Sequence, residues 1–301
     1  MVRLLPIASG KGGVGKSVVA ANLGIALARA GRTVVLVDLD LGGSNLHTFL
    51  GIRNKNVGIA HLRRGGSIAD LLVETGRDRL WLVPGDCLVP GAANIEYFAK
   101  KRILKELAAL PADYVVMDLG AGSSNNVVDF FLSAADGFVV MRAEITSVLN
   151  AYSFLKSVAY RTILRSYPER SPARAELAAF AAERDDGEGL SYMDFALELA
   201  ERYPERSSVA ADQLAALAPR VVMNMVVSDR DLALGDRLRG IASRRLGIEL
   251  RIAAVLPEDP EVPASLSERS PVAELVPLSP FSTAIADLAA AVDGLTPPGA
   301  K

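Results

Sequence analysis

The chain has 301 residues, half of them hydrophobic, with a formal net charge of -2 at pH 7 and a sequence pI of about 5.8. So much apolar content with so little net charge excludes a disordered chain. The single cysteine, Cys87, excludes an internal disulfide, an iron–sulfur site and a cysteine-based zinc site. The acid–base balance argues against a dedicated nucleic-acid coat.

The predicted elements alternate. Residues 3–8 read as a buried first strand that runs straight into a glycine-rich loop, so they do not read as a leader, and the expected compartment is the cytoplasm. A helix over 17–30 follows and stops at Gly31. Strands are expected at 33–38 and 80–83, a helix over 98–110 ending before Pro111, then strands at 114–118 and 137–141. A helix over 147–160 leads into about 161–217, which has no strand candidate and reads as a helical insertion in a single domain, 1–301. Its helices fall near 173–182, 192–203 and 209–217, separated by charged stretches that include 183–188. Strands at 220–226 and 251–256 flank a helix over 229–246, and a last helix covers 281–294. Short continuous Val- and Leu-rich strands suit a sheet buried on both faces. Their alternation with helices predicts an α/β, doubly wound, mostly parallel sheet flanked by helices. Every long apolar stretch is broken well before the ~18 residues that a membrane span needs.

Between the first strand and its helix lies Gly10-Lys11-Gly12-Gly13-Val14-Gly15-Lys16-Ser17, followed by Val18. This fits the G-x-x-x-x-G-K-[ST] phosphate loop in its strand–loop–helix setting. Glycines let consecutive N–H groups face phosphate oxygens, and the helix adds its positive end. Lys16 reaches the outer phosphates and Ser17 offers a hydroxyl to Mg²⁺. Lys11 is more than phosphate cradling requires.

Lys11-Gly-Gly-Val-Gly-Lys-Ser17 resembles the deviant Walker A motif of the ParA/MinD ATPases, a P-loop NTPase family of the SIMIBI type. The resemblance implies that Lys11 crosses a dimer interface to the partner's nucleotide, so that ATP joins two chains face to face. Val35-Leu-Val-Asp-Leu-Asp40 is similar to the family's second acidic motif. By that likeness Asp38 supports the Mg²⁺ shell through water and Asp40 orients the attacking water, with 41–45 as the first switch loop. Val115-Val-Met-Asp118, then Leu119-Gly-Ala-Gly122, resembles the Walker B strand and second switch, making Asp118 a residue of the Mg²⁺ site. Asn224 and Pro257 to Asp259 resemble the adenine-side elements: Asn224 is assigned to the base, and Pro257 and Asp259 to its pocket. The stretch 142–152 is similar to one common in the MinD/FlhG branch. The resemblance covers about 1–160 and 219–295 and leaves the insertion out.

It implies an ATPase with ATP and Mg²⁺, a homodimer in the ATP state, a protein activator or cargo partner, and a role in positioning a division site, flagellum, chromosome or other cargo. Lys11, Lys16 and Asp40 are its catalytic residues by this likeness. Cys87 alone argues against the iron–sulfur carriers of the family, and the tail 296–301 has no tyrosine cluster such as the tyrosine kinases carry. The last helix holds Asp287 and Asp293 and neither Lys nor Arg, which disfavours direct binding to an anionic membrane. Arg237, Arg239, Arg244 and Arg245 leave non-specific DNA binding open, but Asp231 and Asp236 interrupt them. His47 and His61 are too few and too separated for a metal site. The alternative reading is an ATP-using enzyme or metallochaperone on the same fold with a small-molecule or metal substrate.

Overall fold

The computed structural model describes residues 2–40, 43–53, 66–85, 97–183, 190–204 and 207–294. Cys87, His61, the tail 296–301, residues 41 and 42 of the first expected switch loop and most of the charged stretch 183–188 lie outside the described residues. Eight strands form one sheet among those described. They are β1 (Arg3–Ser9), β2 (Val34–Leu39), β3 (Val73–Glu74), β4 (Leu80–Val83), β5 (Tyr114–Ala121), β6 (Phe138–Arg142), β7 (Arg220–Val226) and β8 (Arg251–Pro257). Their order is β3-β4-β2-β5-β1-β6-β7-β8. Every neighbouring pair is parallel except β3 with β4. The doubly wound, mostly parallel sheet is thus the expected one. β3 adds a two-residue edge strand that is not among the expected ones, and β5 runs three residues beyond its expected end at Asp118.

Both faces of the sheet are buried because successive side chains alternate between them. In β2, Val34 and Leu36 belong to one apolar cluster and Val35, Val37 and Leu39 to the other. The first cluster packs under α1 (Lys16–Arg29) and the last helix, α12 (Pro280–Asp293). The remaining helices, in chain order, are α2 (Leu46–Phe49), α3 (Tyr97–Ala108), α4 (Asn125–Phe131), α5 (Ile145–Ser166), α6 (Pro172–Glu183), α7 (Tyr192–Arg202), α8 (Ser207–Ala215), α9 (Asp229–Leu246), α10 (Glu261–Ser267) and α11 (Val272–Leu275). Helices α3, α4, α5 and α9 close the second face of the sheet.

Residues 161–217 contain the end of α5 and helices α6, α7 and α8, without a strand among the described residues. They share the second apolar cluster: Tyr192, Phe195, Leu199, Ala210 and Leu214 are buried with Phe154, Leu155 and Val158 of α5. Phe180 stacks on Phe195 with ring centroids 4.0 Å apart and meets Tyr192 edge-on at 5.3 Å. Among the described residues no helix is long and apolar enough to cross a membrane.

Candidate functional site: a phosphate-loop pocket at the carboxyl edge of the sheet

Strands β1, β2, β5 and β7 release their chains at the same edge of the sheet, where open α/β folds place their ligands. The loop after β1 turns into α1 at Gly15, whose φ of 86° is open to glycine at little cost. A side chain there would also begin 2.2 Å from Nδ2 of Asn224. Gly10 is constrained differently: a Cβ on it would lie 2.1 Å from the carbonyl oxygen of Asn150 on α5. Both glycines allow a close approach of backbone to a neighbour.

A cavity of about 930 Å³ opens at this edge. Gly12, Gly13, Val14, Gly15, Lys16, Ser17 and Val18 line it from the loop side, with Asp40 beside them. Asn224, Pro257 and Asp259 line it from the far side. Sequence reasoning missed its apolar wall of Met225, Val262, Pro263, Leu266 and Phe281. Nothing in composition marks these residues, because they are apolar like the core. Met225 has a φ of 56°, a strained value for a side-chain-bearing residue. It sits where the β7–β8 register shifts between Met223 and Val226.

Lys16 is 6 % exposed. Its Nζ donates to Oδ1 of Asp118 at 2.5 Å and lies 4.0 Å from Oδ2 of Asp40. Asp38 and Asp118 stand opposite one another in the β2–β5 register, and both are fully buried. Asp38 accepts from the Ser44 hydroxyl at 2.6 Å and from the amides of Leu46 and Asp40 at 3.1 Å each. Those bonds favour its charge, yet burial and the neighbouring Asp118 push its pKa up to about 6. Burial also raises Asp118, against the pull of the Lys16 ammonium. Oδ2 of Asp118 is buried without a hydrogen-bond partner. That orphaned oxygen, on the carboxylate bonded by Lys16, the chain neighbour of Ser17, fits a divalent cation held by Ser17 and Asp118, which would supply its missing partner.

Asp40 lies between the two expected switch loops: a Cβ on Gly43 or on Gly120 would be 3.6 Å from its Oδ1. Asn224 donates Nδ2 to the carbonyl of Val14 at 2.9 Å, so its amide ties the far wall to the phosphate loop. The Asp259 carboxylate accepts from the amides of Glu261 and Phe281 at 3.0 Å each, which fixes the start of α12 at the pocket rim. Those two amides hold its pKa below the ordinary value despite the desolvation that opposes them.

Lys11 and Gly10 do not line the cavity. Lys11 donates to Oε2 of Glu144 and to the Thr146 hydroxyl, each at 3.1 Å. Glu144 precedes α5 and also pairs with Arg142 at 3.1 Å. Lys11 and Arg142 hold the Glu144 carboxyl below its usual range. Just beyond, Ile145 and Leu149, one helical turn apart, are 66 % and 58 % exposed.

The antiactivator FleN of Pseudomonas aeruginosa is 32 % identical over 166 residues, covering 52 % of this chain and 56 % of FleN. The septum site-determining protein MinD of Synechocystis is 34 % identical over 157 residues, covering 50 % of this chain and 57 % of that one. The chain thus spans somewhat over half the length of these relatives. The structure of MinD from Pyrococcus horikoshii complexed with Mg-ADP superposes with a TM-score of 0.66 at 23 % identity, over 97 % of this chain and 96 % of that one, which establishes the fold. The model of the CobQ/CobB/MinD/ParA nucleotide-binding domain matches residues 5–272. With the phosphate loop, the paired aspartates and the pocket in one place, the chain belongs to the CobQ/CobB/MinD/ParA nucleotide-binding family.

Proposed function

We propose that this protein is an ATP-dependent switch that binds and slowly hydrolyses Mg-ATP, pairs with a second copy in the ATP state, and positions a cellular structure. The observation that carries this reading is the division between the two lysines of one loop. Lys16 is turned inward onto Asp118 and toward Asp40. Lys11 is turned away from the cavity onto Glu144 and Thr146, beside the exposed Ile145 and Leu149. Cradling phosphate requires the first; the second is free of that task and suits the phosphates of a facing chain. The names of the relatives support the cellular role: an antiactivator, a septum site-determining protein and, in Helicobacter pylori, a flagellum site-determining protein.

Ser17 and Asp118 would hold Mg²⁺, with Asp38 behind them through water, and the ion would supply charge for the phosphate oxygens. The chain's own residues do the rest. Lys16 exchanges its carboxylate partner for phosphate oxygens, loop amides hold those oxygens, and Asp40 orients the attacking water. Lys11 of a facing copy adds positive charge where charge develops.

Light scattering on an Asp40→Ala variant tests this. Blocking hydrolysis should trap a dimer with ATP and Mg²⁺ and leave a monomer with ADP. Adding Lys11→Ala should abolish the dimer. A monomer with both nucleotides removes the argument from Lys11 and leaves the nucleotide site without a switch.

A further inference from the structure

Away from the nucleotide pocket, Asp129 on α4 is bonded by three cations. Arg161 donates Nε and Nη2 to its two oxygens at 2.7 and 3.0 Å. Arg165 donates at 2.6 Å, and the buried Lys100 donates as well. Burial alone would push Asp129 up, but these partners hold it below its ordinary value. One carboxylate among three cations leaves positive charge in excess.

A cavity of about 260 Å³ opens beside this cluster, between the loop before α4, the middle of α5 and the insertion helices α6 and α7. Ser123, Asn125, Lys156, Tyr160 and Arg161 bring hydrogen-bond donors to it, and no carboxylate lines it among the described residues. Among the described residues, the Ser123 hydroxyl, the Asn125 amide, the Tyr160 hydroxyl and Nη1 of Arg161 have no hydrogen-bond partner. Val128, Ala181 and Tyr192 add an apolar wall.

The geometry points to a binding site for an acidic side chain of a partner protein, seated between the second expected switch loop and the insertion. Donors without partners, next to the three cations that share the one carboxylate of Asp129 among the described residues, favour an anion through charge-assisted hydrogen bonds. The apolar wall favours a carboxylate carried on methylenes over a bare, hydrated inorganic ion. An occupant would join α4 to the insertion and so bias the loop that precedes α4. None of this depends on nucleotide, and the test is made without it.

The probe is a fluorescein-labelled peptide of alternating Glu and Gly, with its Gln–Gly counterpart, followed by fluorescence anisotropy on the full chain at physiological salt. Saturable binding of the Glu peptide is expected, with the Gln peptide at least ten-fold weaker. Ser123→Ala with Tyr160→Phe should weaken it about ten-fold, as should Asn125→Asp, which places a carboxylate at the mouth. All three positions are at least partly exposed, so these variants spare the Asp129 cluster that Arg161 supports. Arg239→Gln with Arg244→Gln on α9 should change nothing. Equal loss in the α9 variant means diffuse charge attraction and overturns the proposal, as does unaltered binding in the pocket variants. Displacement of the peptide by equimolar inorganic phosphate identifies a small-anion site and overturns the peptide reading. Binding only after Asp185→Asn, Asp186→Asn and Glu188→Gln makes the chain's own acidic stretch the occupant, and overturns it too.

Discussion

Asp38 and Asp118 stand side by side in neighbouring strands, and neither is accessible to solvent. A carboxyl raised in the folded state stabilises the fold below its ordinary value of 3.8 and loses that contribution as pH rises through about 6. The stability of the ligand-free chain relative to an Asp38→Asn variant should therefore fall between pH 4 and pH 7, by roughly 3 kcal/mol at most. Urea unfolding of both proteins at each pH measures this; parallel curves would mean that Asp38 keeps its ordinary titration. At Gly15, alanine meets both a left-handed backbone and the Asn224 amide. Gly15→Ala should cost about 1–3 kcal/mol of stability and weaken binding of a fluorescent ATP analogue, because it also breaks the Asn224–Val14 bond. These loop residues were legible in the sequence because phosphate binding demands glycines, a lysine and a hydroxyl at fixed spacing. Glu144, Thr146 and Ser44 were not assigned roles at the site, since each acts by touching a residue remote in the chain or across a turn, as with Lys11 and Asp38.

At the scale of elements, seven strands were visible as apolar runs, because a sheet covered on both faces leaves no polar alternation to blur them. β3 was invisible for the converse reason: two residues, one exposed, carry no pattern. Helix α5 runs from Ile145 to Ser166, longer at both ends than periodicity predicts. At one end it meets Lys11 through Thr146, and at the other its arginines hold α4 through Asp129. Its first turns expose Ile145 and Leu149 beside the nucleotide edge. Replacing both by serine should leave unfolding free energy within about 0.5 kcal/mol of the parent, yet weaken the dimer proposed above in light scattering with ATP. An undiminished dimer would place the pairing surface elsewhere.

At the scale of the whole molecule, the insertion helices and the sheet share one apolar cluster. Phe195→Ala should therefore cost about 3–5 kcal/mol and lower the unfolding midpoint of the entire chain. Trp81 is the chain's single tryptophan and lies on β4, near the opposite end of the sheet. Its fluorescence should follow the same transition as far-UV circular dichroism; separate transitions would make the insertion an independent unit. The buried aspartates have a different consequence, for the lifetime of the protein. Ionised Asp38 and Asp118, with one oxygen left unsatisfied, strain the native state in a way that a bound cation and nucleotide would relieve, and only the native state offers that site. Proteases act on chains that open. If the proposed function holds, a cell short of nucleotide would trim the population of this protein by degradation, and its abundance would follow the nucleotide supply.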